Sequence, residues 1–429
     1  MKTNQLSLGT AKVDITPAHP VPLAGFSERN GLYRDIHRKL FARVWFFKQT
    51  VTTGTVRNAV LVQADLIWWG SDVADALIRD VRTRWQTDAV ILHASHTHSG
   101  PQTTEKFTSY LGRPDPDYIR YVKERVLAGI EAAERHTEPV VISKASGRCH
   151  IAVNRRKRCE DGSVGMAPNP DGPVDPEVLV VKFAKPDGMC KGVLFHYACH
   201  PTTTRDNFVS SEFPGAAMEA VESAFPHPVV ASFLQGCCGD VRPALIREGQ
   251  FVSGTREDVD TLGRTLADEV LRVLNGPMET LSPSLGAMKR VEIELPVGRV
   301  PDETELQEAA SKEGVYAEWA RLLLDDPERR KPTVPLRISL LPLADALALL
   351  AIDAEAVVEY GLAIKRLSRG RVLPLPYSNG MIGYLPTARQ IEEGGYESRE
   401  SLYFFGLPGP FSGGAERLVM ERIAALING

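Results

Sequence analysis

The residues best suited to chemistry fall in one stretch, His93-Ala94-Ser95-His96-Thr97-His98-Ser99-Gly100-Pro101. It follows Asp88-Ala89-Val90-Ile91-Leu92, a short apolar run that predicts a buried strand, and it closes on Ser-Gly-Pro, a turn signal. In an extended segment side chains alternate faces, so His96 and His98 are expected to point the same way. Two imidazoles at the mouth of a strand supply half of a metal site. Two ligands do not hold a zinc, so further donors must come from elsewhere in the chain.

The chain repeats this arrangement. An apolar strand ends, and a group able to bind metal or move a proton follows within a few residues. Asp65 follows Ala59 to Ala64, His200 follows Gly192 to Tyr197, Asp240 follows Val229 to Leu234, and Glu355 follows Leu347 to Ile352. In open α/β sheets ligands bind beyond the carboxyl ends of strands, where loops converge. Five such points predict one shared polar site. Two separated histidine sources plus a carboxylate are the usual make-up of a catalytic zinc site, whose chemistry is amide or ester hydrolysis by a metal-activated water. Asp240 is the most available general base. A serine-nucleophile reading is weaker, because no G-x-S-x-G elbow is present and Ser99 lies in Ser-Gly-Pro.

The elements that must position these groups follow from periodicity. Folded sequence is expected to start with Leu8 to Ile15, and Leu40 to Phe47 and Val178 to Phe183 read as further strands. Ser71 is expected to cap a helix carrying Val73, Leu77, Val81 and Trp85 on one face. Asp117 is expected to start a second helix, Pro214 a third and Glu355 a fourth. Val259, Leu262, Leu266, Val270 and Leu274 define an amphipathic helix stopped by Asn275-Gly276. Asn154-Arg155-Arg156-Lys157-Arg158 reads as a basic, turn-rich loop, and residues 302–331 as a charged helical excursion on the surface. The fold expected is α/β, one large domain over residues 1–429 with a mixed β core flanked by helices.

Composition narrows the partners. A chain of 429 residues that is 43% hydrophobic and 24% charged is an ordinary globular protein. A net charge of −4 gives no electrostatic footprint for nucleic acid or an anionic membrane. The expected partner is a small-molecule substrate, with no nucleic acid and no membrane, and self-association into a homo-oligomer is left open. The start, Met1 to Ser7, lacks the apolar run of an export signal. With no C-x-x-C pair, Cys149, Cys159, Cys190, Cys199, Cys237 and Cys238 are expected to be reduced thiols in the cytoplasm.

Several stretches in order resemble the neutral (non-lysosomal) ceramidase family in its N-terminal catalytic domain. They are Gly9 to Pro17, Pro22 to Phe26, His96-Thr97-His98-Ser99-Gly100-Pro101, Asn154-Arg155, His200-Pro201, Ser211 to Gly215, Gly239-Asp240-Val241, Gly383-Tyr384 and Gly395-Tyr396-Glu397. The resemblance implies one zinc held by His96, His200, Glu355 and Tyr384. It implies that His98, Arg155 and Tyr396 surround the scissile group, with His98 and Tyr396 donating to the oxyanion.

This sequence departs from the family pattern at several points. The turn before the glutamate reads Asp353-Ala354-Glu355 where the family has Pro-Gly-Glu. Arg242 stands where the family has a serine used on ceramide. No leader and no C-terminal immunoglobulin-like domain are expected here. A guanidinium suits a carboxylate, phosphate or polyhydroxyl group better than a lipid. The expectation is therefore a zinc-dependent amidohydrolase acting on a small polar N-acyl substrate, with Arg242 binding it. The rivals are a zinc esterase or lactonase on a carbohydrate-like substrate, and a non-catalytic binding protein that keeps the fold.

Overall fold

The structure, a computed structural model, describes residues 5–50, 54–87 and 89–429. Met1 to Asn4 and Asp88, which enter the sequence reading, lie outside the described residues. Among the described residues nine strands form the larger sheet. They are β1 (Leu6–Asp14), β2 (Phe41–Thr50), β3 (Val56–Ala64), β4 (Ala89–Ala94), β5 (Glu138–Arg148), β6 (Glu177–Ala184), β7 (Cys190–Tyr197), β8 (Val230–Gln235) and β9 (Glu279–Leu281). The order is β8-β7-β6-β5-β1-β2-β3-β4, with β9 on β5. Only the outer pairs, β3·β4 and β7·β8, are parallel. A parallel pair needs a crossover, and α1 (Ser71–Trp85) supplies it for β3 and β4. After α2 (Pro116–Arg135), α3 (Glu212–Ser223) does the same for β7 and β8.

A second sheet runs β10 (Lys289–Pro296), β11 (Thr333–Ala344), β12 (Leu347–Ile352) and β13 (Val372–Leu375) in that order. Its parallel pair β12·β13 is again bridged by a helix (Val358–Ser368). The sheets share a core in which Trp45, Phe47 and Phe183 of the first meet Leu341, Leu349 and Leu373 of the second. Burial of such side chains stabilises by roughly 1.5–3 kcal/mol each. Helices cover the outer faces, so the mixed α/β architecture read from the sequence is the one observed. Among the described residues no helix is long and apolar enough to cross a membrane.

Six local expectations are corrected. Ser71 does not cap α1. The N-cap is Gly70, and the Ser71 hydroxyl instead bonds the backbone of Met381. The α2 helix starts at Pro116, because Asp115 rather than Asp117 accepts the Tyr118 N–H at 2.8 Å. The basic run is not a solvated loop. Ala152–Arg158 is a strand in a three-stranded ribbon, and Arg155 and Arg156 are both buried at a register shift in its pairing. Glu355 does not begin a helix. It lies in a two-residue parallel ladder with Tyr384, and the helix starts at Val358 and leaves Leu367 39% exposed. Pro214 likewise falls in the first turn of α3, which opens at Glu212. Residues 302–331 are helical as expected, but Trp319 is buried and donates to the Leu407 carbonyl at 2.7 Å, so the segment packs into the core.

Candidate metal centre and substrate cleft

Each of the three β-α-β units delivers one donor. His96 stands two residues past β4, His200 three past β7 and Glu355 three past β12. All three are buried. The expected extended path through His96 is not observed. The β4 strand ends at Ala94 and His96 sits in the left-handed region at φ 66°, a conformation that costs a β-carbon residue on the order of 1 kcal/mol or more. The imidazoles of His96 and His98 converge nonetheless, with their Nε2 atoms 3.3 Å apart. Tyr377 stacks on His96 at 4.1 Å between ring centroids and holds the ring.

The tautomers follow from the carbonyls. His96 Nδ1 lies 2.7 Å from the Ile67 carbonyl, His200 Nδ1 2.8 Å from that of Cys238, and His98 Nδ1 3.2 Å from that of Gly25. A carbonyl oxygen only accepts, so each ring carries its proton on Nδ1 and presents a lone pair at Nε2. Burial disfavours the charged form of His200 and of His98. It pushes His200 down to about 4, and it pushes His98 well below the usual histidine value, with His96 and His200 adding to the effect.

Those lone pairs face one another. His96 Nε2 is 3.0 Å from His200 Nε2, and Glu355 Oε1 lies 2.9 Å from His200 Nε2 and 3.3 Å from His96 Nε2. Glu355 Oε1 is buried and has no donor. Buried acceptors crowded together without donors call for a cation. Tetrahedral nitrogen and oxygen ligands around zinc stand about 3.3 Å apart, and backbone carbonyls on the far ring nitrogens are the usual outer support. The residues present therefore fit a zinc ion.

Tyr384, opposite Glu355 in the ladder, has its hydroxyl 3.0 Å from Arg155 Nη2. Arg155 Nε donates to Glu397 Oε1 at 2.9 Å, and Glu397 also takes Arg156 at 2.6 Å. Glu397 is thus the buried anchor of the arginine pair. Its only signal in the sequence is its place after Tyr396 in Gly-Tyr-Glu. His98, Arg155, Tyr384 and Tyr396 line one cleft of about 170 Å³, with Arg242 and Arg205 on another wall. Tyr396 packs edge-on against Tyr384, and burial pushes its phenol upward, so it remains a proton donor.

Two expected roles are altered by the geometry. His98 donates its only proton to Gly25, so in its neutral form it is an acceptor at Nε2 and no donor to an oxyanion. Gly25 is confined to glycine here, since at φ 97° an added β-carbon would sit 2.3 Å from His98 Nδ1. Asp240 is fully buried and does not line the cleft. Its Oδ1 accepts the Val358 N–H at 2.8 Å and its Oδ2 accepts Gln390 at 3.0 Å and Asn154 at 3.2 Å. Burial lifts its pKa to about 6. Asp65 does not reach the histidines either. It pairs with buried Arg43 at 3.1 Å on the neighbouring strand.

Comparison with known proteins gives one consistent set of matches. A family model described as neutral/alkaline non-lysosomal ceramidase, N-terminal, matches residues 6–265. The neutral ceramidase of Pseudomonas aeruginosa is 25% identical over 255 residues, 55% of this chain and 37% of that protein, so the match spans little more than a third of the relative's length. Two solved structures share the fold. A ceramidase complexed with C2 gives a TM-score of 0.77 at 17% identity, over 99% of this chain and 75% of that one. The crystal structure of neutral ceramidase from Pseudomonas aeruginosa gives 0.75 at 18% identity, over 99% and 74%.

Proposed function

The chain belongs to the neutral/alkaline non-lysosomal ceramidase family, a family of hydrolases, and from that premise we propose that it is a zinc-dependent hydrolase cleaving the amide bond of a small polar N-acyl substrate. The observation that carries this reading is the convergence of three Nε2 lone pairs and a donorless carboxylate oxygen at one buried point. His96, His200, Glu355 and Tyr384 would hold the ion, and the whole chain would act as one catalytic unit. When bound, zinc supplies Lewis acidity, bringing the pKa of a water near 7 and polarising a carbonyl.

The protein groups then have distinct tasks. His98 Nε2, on the cleft side and oriented through Gly25, takes the proton from the attacking water and returns it to the leaving nitrogen. Tyr396 donates its phenolic proton in a hydrogen bond to the developing oxyanion. Arg155, fixed by Glu397, holds the Tyr384 hydroxyl. Asp240 fixes the start of the helix beyond Glu355 and acts by positioning. Arg242 takes a polar group of the substrate. The six free thiols support a cytoplasmic setting.

A panel of matched amides and esters, including a short-chain ceramide, tests the proposal. Chelator-sensitive turnover of polar N-acyl compounds, with the ceramide a poor substrate, is the expected result. Turnover of esters alone would reassign the site to an esterase. Robust ceramide turnover that is unchanged in Arg242→Ser would contradict the polar-substrate reading.

A further inference from the structure

The other buried arginines among the described residues are paired with acids: Arg43 with Asp65, and Arg155 and Arg156 with Glu397. Arg242 differs. It is 8% exposed, forms no ion pair among the described residues, and makes one hydrogen bond, from Nη2 to the Thr202 carbonyl at 3.3 Å. Its Nε is buried without a partner. The guanidinium lies over the Phe251 ring at 4.4 Å, which leaves its donor edge free toward the cleft it shares with His98 and Tyr396. A buried guanidinium with idle donors is costly unless something else fills them.

The local geometry says what that is. Around this wall Arg29, Arg205 and Arg242 stand with Glu28, Asp206 and Glu212, so recognition of an anion rests on the open donors of Arg242 and not on an excess of charge. Arg205 is 56% exposed at its side chain, and its nearest acid, Glu28, is 3.7 Å away. Arg155 is not available, because Glu397 and Tyr384 already occupy it. A single open fork matches a planar carboxylate in a bidentate pair. Phe26, Leu111, Met166 and Phe404 add apolar lining, and Ser27, Glu28 and Thr202 complete it.

We infer that the cleft selects substrates bearing a carboxylate seated on Arg242, with Arg205 at the mouth, and that the substrate class is N-acylated amino acids. The inference rests on the hydrolase reading of the same cleft. Binding and turnover therefore need separate readouts.

Titration calorimetry of the zinc-loaded protein with N-acetyl-leucine and N-acetyl-leucinamide reads binding, and kcat/KM on the same pair reads chemistry. The carboxylate is expected to bind roughly 10- to 100-fold tighter, the worth of a charge-assisted bidentate pair. That preference should collapse to near unity in Arg242→Gln and shrink several-fold in Arg205→Gln, an exposed position that spares the fold. Equal binding of acid and amide in the native protein would overturn the inference. So would a preference that survives Arg242→Gln, which would place the carboxylate on the metal. Selective binding without any turnover would sink the hydrolase reading while leaving this one standing.

Discussion

Asp240 Oδ1 accepts the backbone N–H of Val358 at 2.8 Å, so the carboxylate that follows β8 caps the helix that follows Glu355. A strand-following loop and a helix start that are 118 residues apart in sequence are thereby joined by one hydrogen bond.

This pair makes a prediction about pH. Burial raises the Asp240 pKa from 3.8 to about 6 in the folded protein. A raised carboxyl keeps its proton in the folded state while the unfolded chain has lost it, so its contribution to stability falls as pH rises from about 4 through 6. Denaturant unfolding of the native protein and Asp240→Asn at pH 4.5 and 7.5 checks this. The difference between them should move in the variant's favour by up to about 2–3 kcal/mol at the higher pH. Parallel behaviour at both values would mean that Asp240 is not buried as a titrating acid.

Arg155 supports the site through Glu397 and Tyr384. Arg155→Ala leaves a buried carboxylate short of one partner, which typically costs about 3–5 kcal/mol. Arg155→Lys keeps the charge but cannot reach both acceptors with one fork, so it should restore only part of the loss. Equilibrium unfolding measures both. A loss under about 1 kcal/mol for the alanine variant, the size expected of an exposed pair, would contradict the buried network.

Tyr396 is assigned to the oxyanion and not to the metal. Tyr396→Phe should therefore lower kcat by roughly a hundredfold or more while zinc content and melting temperature stay at native values. Turnover within a few-fold of native would remove Tyr396 from the reaction, and loss of zinc would move it to the ligand set.

The sequence made some of this legible and hid the rest for physical reasons. Strand ends that carry His96 and His200 are visible because apolar runs and turn residues are local signals. The shared face of His96 and His98 came out right by a different path, since the backbone at His96 is left-handed and not extended. Arg155 looks like any residue in a basic run, because the acid that buries it lies 242 positions away. Asp65 and Asp240 follow apolar strands in the same way. Their fates diverge only because β2 sets Arg43 beside one while a helix N-terminus meets the other. The capping of α1 and α2 failed by one or two residues, the usual uncertainty at helix ends.

The central claim is the metal, and elemental analysis of protein purified without added metal tests it most directly. The account predicts one zinc per chain in the native protein, a near-complete loss in His96→Ala and Glu355→Gln, and a lower melting temperature after chelation. A native protein with no stoichiometric transition metal, whose stability is unmoved by chelator and by His96→Ala, would contradict it.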